Sequence, residues 1–249
     1  MKKSIILIFL IVLIAGCNYS AANVNGSVSY GISNENELDI DSRKPTEAIK
    51  PPFSIDLSDT CWLKYVHTEH SYRKWKISEQ ENELILERIG AKRSVLPPDG
   101  RSPSLHIGTE DMSDYNFSFD FLLNDSDFII FSAYQNVLMA DWDYYKDPDN
   151  MLEQWLWYKI DKNGISEELA ISGDRALETE GGVIDLGNWK CSEWNHVELR
   201  LIDNNLHLIF NGEDKGTIYK FESKPHGTAT ICGGVGCKFK NISILPNNE

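Results

Sequence analysis

Apolar and polar residues alternate one by one through several segments of this 249-residue chain. Within residues 115–121, four aromatic side chains alternate with Asn116, Ser118 and Asp120, and the same period recurs over residues 196–201 and 206–210. A period of two is typical of β-strands that place one face in a core and the other in water. The pattern therefore predicts a chain built from half-buried strands.

Turn signals such as Asn163-Gly164 and Asn211-Gly212 separate the candidate strands. Further strands are predicted at residues 61–66, 84–88, 104–107, 128–134, 154–160 and 239–245. One weak helical pattern, residues 167–177, is interrupted by Gly173. Residues 53–249 are fewer than the ~250–300 at which a single core usually divides. We predict one all-β domain there, a two-sheet antiparallel β-sandwich of about ten strands.

The N-terminal residues differ from the rest of the chain. Lys2 and Lys3 precede an unbroken apolar run over residues 5–15, which suits a secretory signal and is shorter than the ~20 residues of a transmembrane helix. The sequence Ile14-Ala15-Gly16-Cys17 resembles the lipobox of bacterial lipoproteins. We expect removal of residues 1–16, lipid attachment at Cys17, and export to the cell envelope with a membrane anchor. Residues 17–52, polar and ending in prolines, are predicted to be a flexible tether.

Charge and aromatic content exclude two classes of protein. The chain has 38 acidic residues against 24 Lys and Arg, a net charge of −14, so phosphate backbones would repel it and nucleic acid is excluded as a partner. The 7 Trp, 10 Tyr and 10 Phe exclude a mostly disordered chain.

The C-terminal half resembles concanavalin A-like jelly-roll domains, and most closely the pattern shared by the bacterial 3-keto-disaccharide hydrolase domain and laminin G-like modules. The matching residues are 193–199, 204–212, Gly227 and 239–242. The resemblance implies a jelly-roll sandwich and a carbohydrate ligand on its concave sheet or rim loops. It also implies an alternative function, hydrolysis of a glycoside or 3-keto-disaccharide. Within the motif, Trp194 is expected to cover one end of the core.

Aromatic residues in two segments are candidates for stacking on sugar rings. One segment is the loop over residues 141–150. The other is the predicted strand 154–160, where Leu156, Tyr158 and Ile160 are expected to face the core. The predicted ligand-binding residues are Trp142, Tyr144, Tyr145, Trp155 and Trp157.

The same loop is rich in carboxylates. Asp141, Asp143, Asp147 and Asp149 offer the oxygen ligands that Ca²⁺ prefers, and a loop acidic only for solubility is the alternative. The loop lacks the glycine and terminal glutamate of an EF-hand. Ca²⁺ is thus the candidate cofactor.

The residue pattern of catalysis is incomplete. Glycosidases need two carboxylates across a cleft, which the related glucanases supply in a Glu-x-Asp-x-x-Glu pattern. The nearest match here ends in Lys146, so no catalytic residues are assigned and binding without catalysis is favoured. The six histidines lack metal-ligand spacing, although His196 and His207 are expected on neighbouring strands.

Four cysteines remain after Cys17, an even number that suits disulfides in an exported protein. Three pairings are possible. The preferred one joins Cys232 to Cys237 and Cys61 to Cys191, with reduced thiols as the alternative.

Overall fold

A computed structural model of the chain describes residues 32–33, 37–38, 40, 45, 47–68, 74–89, 104–123, 128–135, 154–171 and 184–247. The regular structure within these ranges consists of 16 β-strands and one short 3₁₀ helix, Cys61–Tyr65. None of these ranges contains a helix that is long and apolar enough to cross a membrane.

The strands, in chain order, are β1 (Ile32–Ser33), β2 (Glu37–Leu38), β3 (Phe53–Ser54), β4 (Val66–Thr68), β5 (Lys74–Gln80), β6 (Glu83–Ile89), β7 (Leu105–Ile107), β8 (Tyr115–Leu122), β9 (Phe128–Gln135), β10 (Gln154–Asp161), β11 (Gly164–Ile171), β12 (Asn195–Ile202), β13 (Asn205–Phe210), β14 (Glu213–Lys220), β15 (Thr228–Gly233) and β16 (Lys238–Pro246).

The strands form two antiparallel sheets. The ten-stranded sheet has the order β1-β2-β5-β6-β16-β8-β12-β13-β14, with β3 beside β16, and the six-stranded sheet has the order β11-β10-β9-β15-β7-β4. The chain crosses between sheets on either side of β8, again before β12, and on either side of β15, which is the interleaved path of a jelly roll. The predicted all-β antiparallel sandwich is confirmed, and with it the resemblance to concanavalin A-like jelly rolls at the level of the fold.

Aromatic rings fill the space between the sheets. The ring of Phe119 on β8 lies 5.5 Å from that of Phe131 on β9, across the two sheets, and 5.9 Å from that of Phe239 on β16. All three side chains are fully buried. The alternation in residues 115–121 therefore does place its aromatic face in the core, as the sequence predicts.

Trp189, and not Trp194, closes one end of this core. The Trp189 ring packs 6.3 Å from Phe121 and 6.2 Å from Phe210. Trp194 is half-buried on the outside of the ten-stranded sheet, where the Lys240 ammonium lies 4.5 Å from its ring centre. The expectation for Trp194 is wrong because the strand β12 begins one residue later, so Trp194 shares the outward face of His196.

The sandwich begins before residue 53. Strand β2 pairs with β5, and Leu38, Ile40 and Ile49 are buried in the core. The boundary that places all of residues 17–52 in a flexible tether is thus corrected. These apolar residues are sparse in sequence, yet all three are buried in the core.

Two predicted elements differ locally from the structure. The predicted strand 61–66 is instead the 3₁₀ helix followed by β4, and the Cys61 N–H at the helix start donates to Asp59 Oδ1 at 2.6 Å. The weak helical pattern at 167–177 is a strand as far as Ile171, because β11 is held in register by β10 across the turn at Asn163.

None of the four cysteines Cys61, Cys191, Cys232 and Cys237 is in a disulfide, so the two predicted disulfides are absent from the structure. Cys232 packs against Ile130 on the outer face of the six-stranded sheet, whereas Cys237 lies in the main core. The side chain of Cys237 fills the space above Gly233, where a Cβ would lie 2.6 Å from its Sγ. The two thiols therefore lie in different apolar clusters.

Candidate functional site

A row of four polar side chains crosses the outer face of the six-stranded sheet. His67 on β4, His106 on β7, Thr230 on β15 and Ser132 on β9 are successive cross-strand partners. Each is at most 2% exposed. Their neighbours along the strands point into the core, so alternation directs this polar row away from it.

Contacts within the polar row fix the position of His67. The imidazole rings of His67 and His106 stack with their centres 4.8 Å apart and their planes at 20°. On its other side, His106 Nδ1 lies 3.1 Å from the hydroxyl of Thr230. Stacking on a ring that is itself hydrogen-bonded restricts His67 before any ligand binds.

An open cleft of about 340 Å³ lies where the polar row ends at His67. Its lining residues are Pro45, His67, Gly108, Thr109, Glu110, Asp111 and Thr228. The side chains of His67 and Thr228 are nine-tenths or more buried and form the inner wall, while Glu110 and Asp111 lie closer to solvent. The cleft therefore brings an imidazole, two hydroxyls and two carboxylates to one opening.

The turn after β7 shapes this cleft. Gly108 has a φ of +90° and donates its N–H to the Tyr65 carbonyl at 2.9 Å. A Cβ on Gly108 would lie 2.8 Å from Met112 Cε, so both the conformation and the space require glycine. The turn is closed by the Met112 N–H, which donates to the Thr109 carbonyl at 3.2 Å, and by the Gly227 N–H, which donates to the Met112 carbonyl at 2.8 Å.

The acidic side of the cleft is also ordered by hydrogen bonds. The Thr109 hydroxyl donates to Asp111 Oδ1 at 2.5 Å. The Glu110 carbonyl accepts a hydrogen bond from His226 Nδ1 at 2.8 Å. The backbone that carries both carboxylates is therefore tied to the loop before β15, and Thr228 of the inner wall is the first residue of β15.

The predicted aromatic residues are only partly within the described chain. Trp155 and Trp157 lie on β10, paired with Ala170 and Glu168 of β11. They alternate with Tyr158 and Ile160, whose side chains are buried in the core, as expected. Leu156 is also on β10. The loop residues Trp142, Tyr144 and Tyr145 lie outside the described residues, so stacking at all five positions stays a prediction.

No described set of three or more His, Cys, Asp and Glu side chains could hold a metal ion. The predicted Ca²⁺ ligands Asp141, Asp143, Asp147 and Asp149 fall outside the described ranges, and that site stays a prediction.

A carboxylate–imidazole pair lies on the opposite side of the sandwich. Asp120 Oδ1 on β8 is 2.6 Å from His196 Nδ1 on β12, and Asp120 Oδ2 accepts a hydrogen bond from Asn241 at 2.6 Å. Burial alone would raise the pKa of Asp120, but these two hydrogen bonds outweigh it and lower that pKa. The hydrogen bond to Asp120 in turn raises the pKa of His196. His207 does not join them, since it contacts Thr217 at 3.2 Å instead.

Sequence reasoning missed both the polar row and the cleft. A signal existed for His106, which alternates with Leu105 and Ile107 and so had to face away from the core. No local signal marks the cleft, because Pro45, His67 and Thr228 come from three distant parts of the chain.

No protein-family model matches the chain, and no curated protein matches it. Among solved structures, it is similar to the carbohydrate-binding module CBM66 from Bacillus subtilis, with 9% identity, 73% of this chain and 95% of that chain covered, and a TM-score of 0.45. A candidate glycosyl hydrolase from Parabacteroides distasonis is 14% identical, with 75% of this chain and 95% of that chain covered and a TM-score of 0.42. The Ca²⁺-bound exoplasmic/lumenal domain of VIP36 is 13% identical, with 72% of this chain and 84% of that chain covered and a TM-score of 0.39. Likeness at this level carries no argument about ligand or activity.

Proposed function

We propose that the sandwich domain binds carbohydrate in the cleft at the end of the polar row, without cleaving it. The observation that carries this proposal is the convergence of His67, Thr109, Thr228, Glu110 and Asp111 on one opening. Hydroxyls, imidazoles and carboxylates are the side chains that exchange hydrogen bonds with sugar hydroxyls. The volume is at the lower end of the range for small-molecule pockets, which suits a small ligand or one end of a larger one.

The polar row supports the cleft by holding His67 in place. The His67 ring is stacked on His106, and His106 in turn contacts the Thr230 hydroxyl, so a ligand would not have to order this wall. Preorganisation of this kind reduces the entropy that binding costs. His106 and Thr230 are therefore positioning residues, and His67 is the group proposed to contact the ligand.

A glycan array probed with the full chain in detergent tests the proposal, and calorimetry on the hits locates the site. The variant Asp111→Asn weakens a hydrogen bond to a charged group, so affinity is expected to fall about tenfold. The matched control is Asp56→Asn, an exposed carboxylate that also accepts a hydrogen bond from a hydroxyl two residues away, at Ser58. Equal affinity of Asp111→Asn and the wild type for every hit would contradict binding in the cleft.

The predicted aromatic residues are tested in the same assay. Alanine at Trp142, Tyr144, Tyr145, Trp155 or Trp157 is expected to weaken glycan hits by about tenfold for each ring that stacks on a sugar. Affinity that survives all five changes would remove these residues from the site.

Hydrolysis is the second candidate, and the observation behind it is that the cleft holds two carboxylates, Glu110 and Asp111. A glycosidase needs an acid and a base or nucleophile of this type. Incubation of array hits with the protein, followed by analysis for released sugars, separates the two functions. Turnover that Glu110→Gln abolishes would replace the binding proposal with catalysis.

We also propose that the protein is an exported lipoprotein, anchored to the bacterial membrane through lipid on Cys17. Two or more acyl chains hold a protein stably at a membrane, whereas one does so only marginally. In cell fractionation, the wild type and a Cys61→Ala control are expected with the membranes, and Cys17→Ala in the soluble fraction. Membrane attachment of Cys17→Ala would refute the anchor.

A further inference from the structure

We propose that Asn163 is a site of spontaneous covalent modification, where the backbone nitrogen of the next residue converts the side-chain amide to isoaspartate and aspartate, whereas Asn211 is protected by its hydrogen bonds. This modification needs no ligand and is independent of carbohydrate binding.

Asn-Gly pairs form two of the described hairpin turns. Asn163-Gly164 joins β10 to β11, and Asn211-Gly212 joins β13 to β14. Both asparagines are exposed. Because glycine has no side chain to hinder its backbone nitrogen, that nitrogen can reach the preceding asparagine most easily. A third pair, Asn25-Gly26, lies outside the described residues. The two hairpins are therefore a matched pair of sites within one chain.

Water is the only co-reactant of the modification. The Gly164 backbone nitrogen forms a bond to Asn163 Cγ, its proton passes through solvent to the side-chain nitrogen, and that nitrogen leaves as ammonia. Water then opens the cyclic succinimide at either carbonyl, which gives isoaspartate or aspartate and adds one negative charge. Nothing is oxidised or reduced, so the site reacts by itself, as thermally labile asparagines do.

Hydrogen bonds hold the Asn211 side chain at both ends. Its Oδ1 accepts a hydrogen bond from the His196 N–H at 2.7 Å, and its Nδ2 donates to Asn195 Oδ1 at 3.0 Å. Its own backbone N–H donates to the His196 carbonyl at 2.9 Å. To react, Asn211 must turn its Cγ toward the following backbone nitrogen, and both side-chain hydrogen bonds are then lost.

The Asn163 side chain has no such restraint. In the part of the chain that the structure describes, no hydrogen bond reaches its amide, and its backbone N–H donates to Asp161 Oδ1 at 2.7 Å. Each turn is closed by the pairing of the strand residues on either side, so both hairpins must loosen before they react. Only Asn211 must also lose two side-chain hydrogen bonds. We therefore expect modification to be about 30-fold faster at Asn163.

Modification of Asn163 acts on one edge of the six-stranded sheet. Isoaspartate adds a carbon to the backbone, so the turn no longer keeps β10 and β11 in register. Among the described strands, β11 pairs with β10 alone, apart from a single bridge between Ile165 and Ile184. Strand β10 also carries Trp155 and Trp157, so the change affects the strand with two of the predicted ligand-binding residues.

The test incubates the full chain in detergent at mildly alkaline pH, once in buffer and once in concentrated urea. Peptide mapping by mass spectrometry follows each asparagine and separates isoaspartate from aspartate. In buffer, Asn163 is expected to react about 30-fold faster than Asn211. In urea the two rates should agree within about twofold, because the hydrogen bonds of Asn211 are then absent.

The variant Asn163→Gln is the matched control, since glutamine would have to close a larger and less favourable ring. The aged wild type should lose protection from hydrogen exchange at the backbone amides of β11, while those of β13 and β14 stay protected. The aged variant should keep the protection of β11 that it has when fresh.

Equal rates in buffer, or a faster reaction at Asn211, would overturn the assignment. So would an Asn163 that reacts in urea and not in buffer, because the turn itself would then protect it. A difference of the same size in urea would assign the effect to neighbouring residues in the sequence and would refute protection by hydrogen bonds. Full protection of β11 in modified wild type would refute the effect on the sheet edge.

Discussion

Separating Asp120 from His196 should destabilise the sandwich in a pH-dependent way. The pair joins β8 to β12 in the ten-stranded sheet through a 2.6 Å contact. A buried hydrogen bond to a charged group contributes about 1.5–3 kcal/mol. The side chains of His196 and Asp120 are 41% and 19% exposed, so solvent screening reduces the expected coupling to about 1 kcal/mol.

The sign of the pH dependence follows from the two pKa shifts. The pKa of His196 is raised, so its contribution is complete below the unfolded value of 6.5 and is lost as pH rises through the folded pKa. The pKa of Asp120 is lowered, so its contribution is complete above the unfolded value of 3.8 and is lost as pH falls through the folded pKa. The pair therefore stabilises the fold most between those two unfolded values.

Urea unfolding of Asp120→Asn, His196→Gln and the double variant measures the coupling energy. It should be about 1 kcal/mol near pH 5.5 and a few tenths near pH 9. The control pair is Lys76–Glu87, which joins β5 to β6 in the same sheet and has similar side-chain exposures of 34% and 19%. A coupling at Asp120–His196 that is zero near pH 5.5, or that changes with pH no more than the control, would refute the reasoning.

Four further measurements check other parts of the structure. Phe119→Ala removes a fully buried ring between the sheets and should cost about 3–5 kcal/mol in urea unfolding, against under about 1.5 kcal/mol for the volume-conserving Phe119→Met. Tyr134→Phe removes the hydroxyl that hydrogen-bonds the buried N–H and carbonyl of Tyr115, and should lower the free energy of unfolding by about 2 kcal/mol in the same assay. Native alkylation should modify the exposed Cys61 and Cys191 and spare Cys237, whose thiol pKa is raised by burial, and protection that reductant removes would reveal a disulfide. If the loop aspartates bind Ca²⁺, a chelator should lower Tm and added Ca²⁺ should restore it.

The strands were predictable from sequence because their signal is local. Phe117, Phe119 and Phe121 face the core because every second residue of a strand lies on the same side, whatever its neighbours are. The same rule correctly places Tyr158 and Ile160 in the core.

Other features depend on contacts between distant residues. Leu38 is buried because β2 pairs with β5, and nothing within ten residues of Leu38 indicates that partner. A 3₁₀ helix over Cys61–Tyr65 forms in a segment whose composition also suits a strand. The cleft is the extreme case, since residues 45, 67 and 228 meet there only after both sheets have formed.

The last two strands complete both sheets from the middle. Strand β15 lies between β7 and β9, and β16 lies between β6 and β8. Until residues 228–246 have been synthesised, each sheet is two separate parts with open edges, and the inner wall of the cleft lacks Thr228. Because such long-range pairings are slow to form, the chain should stay unfolded while it is being made.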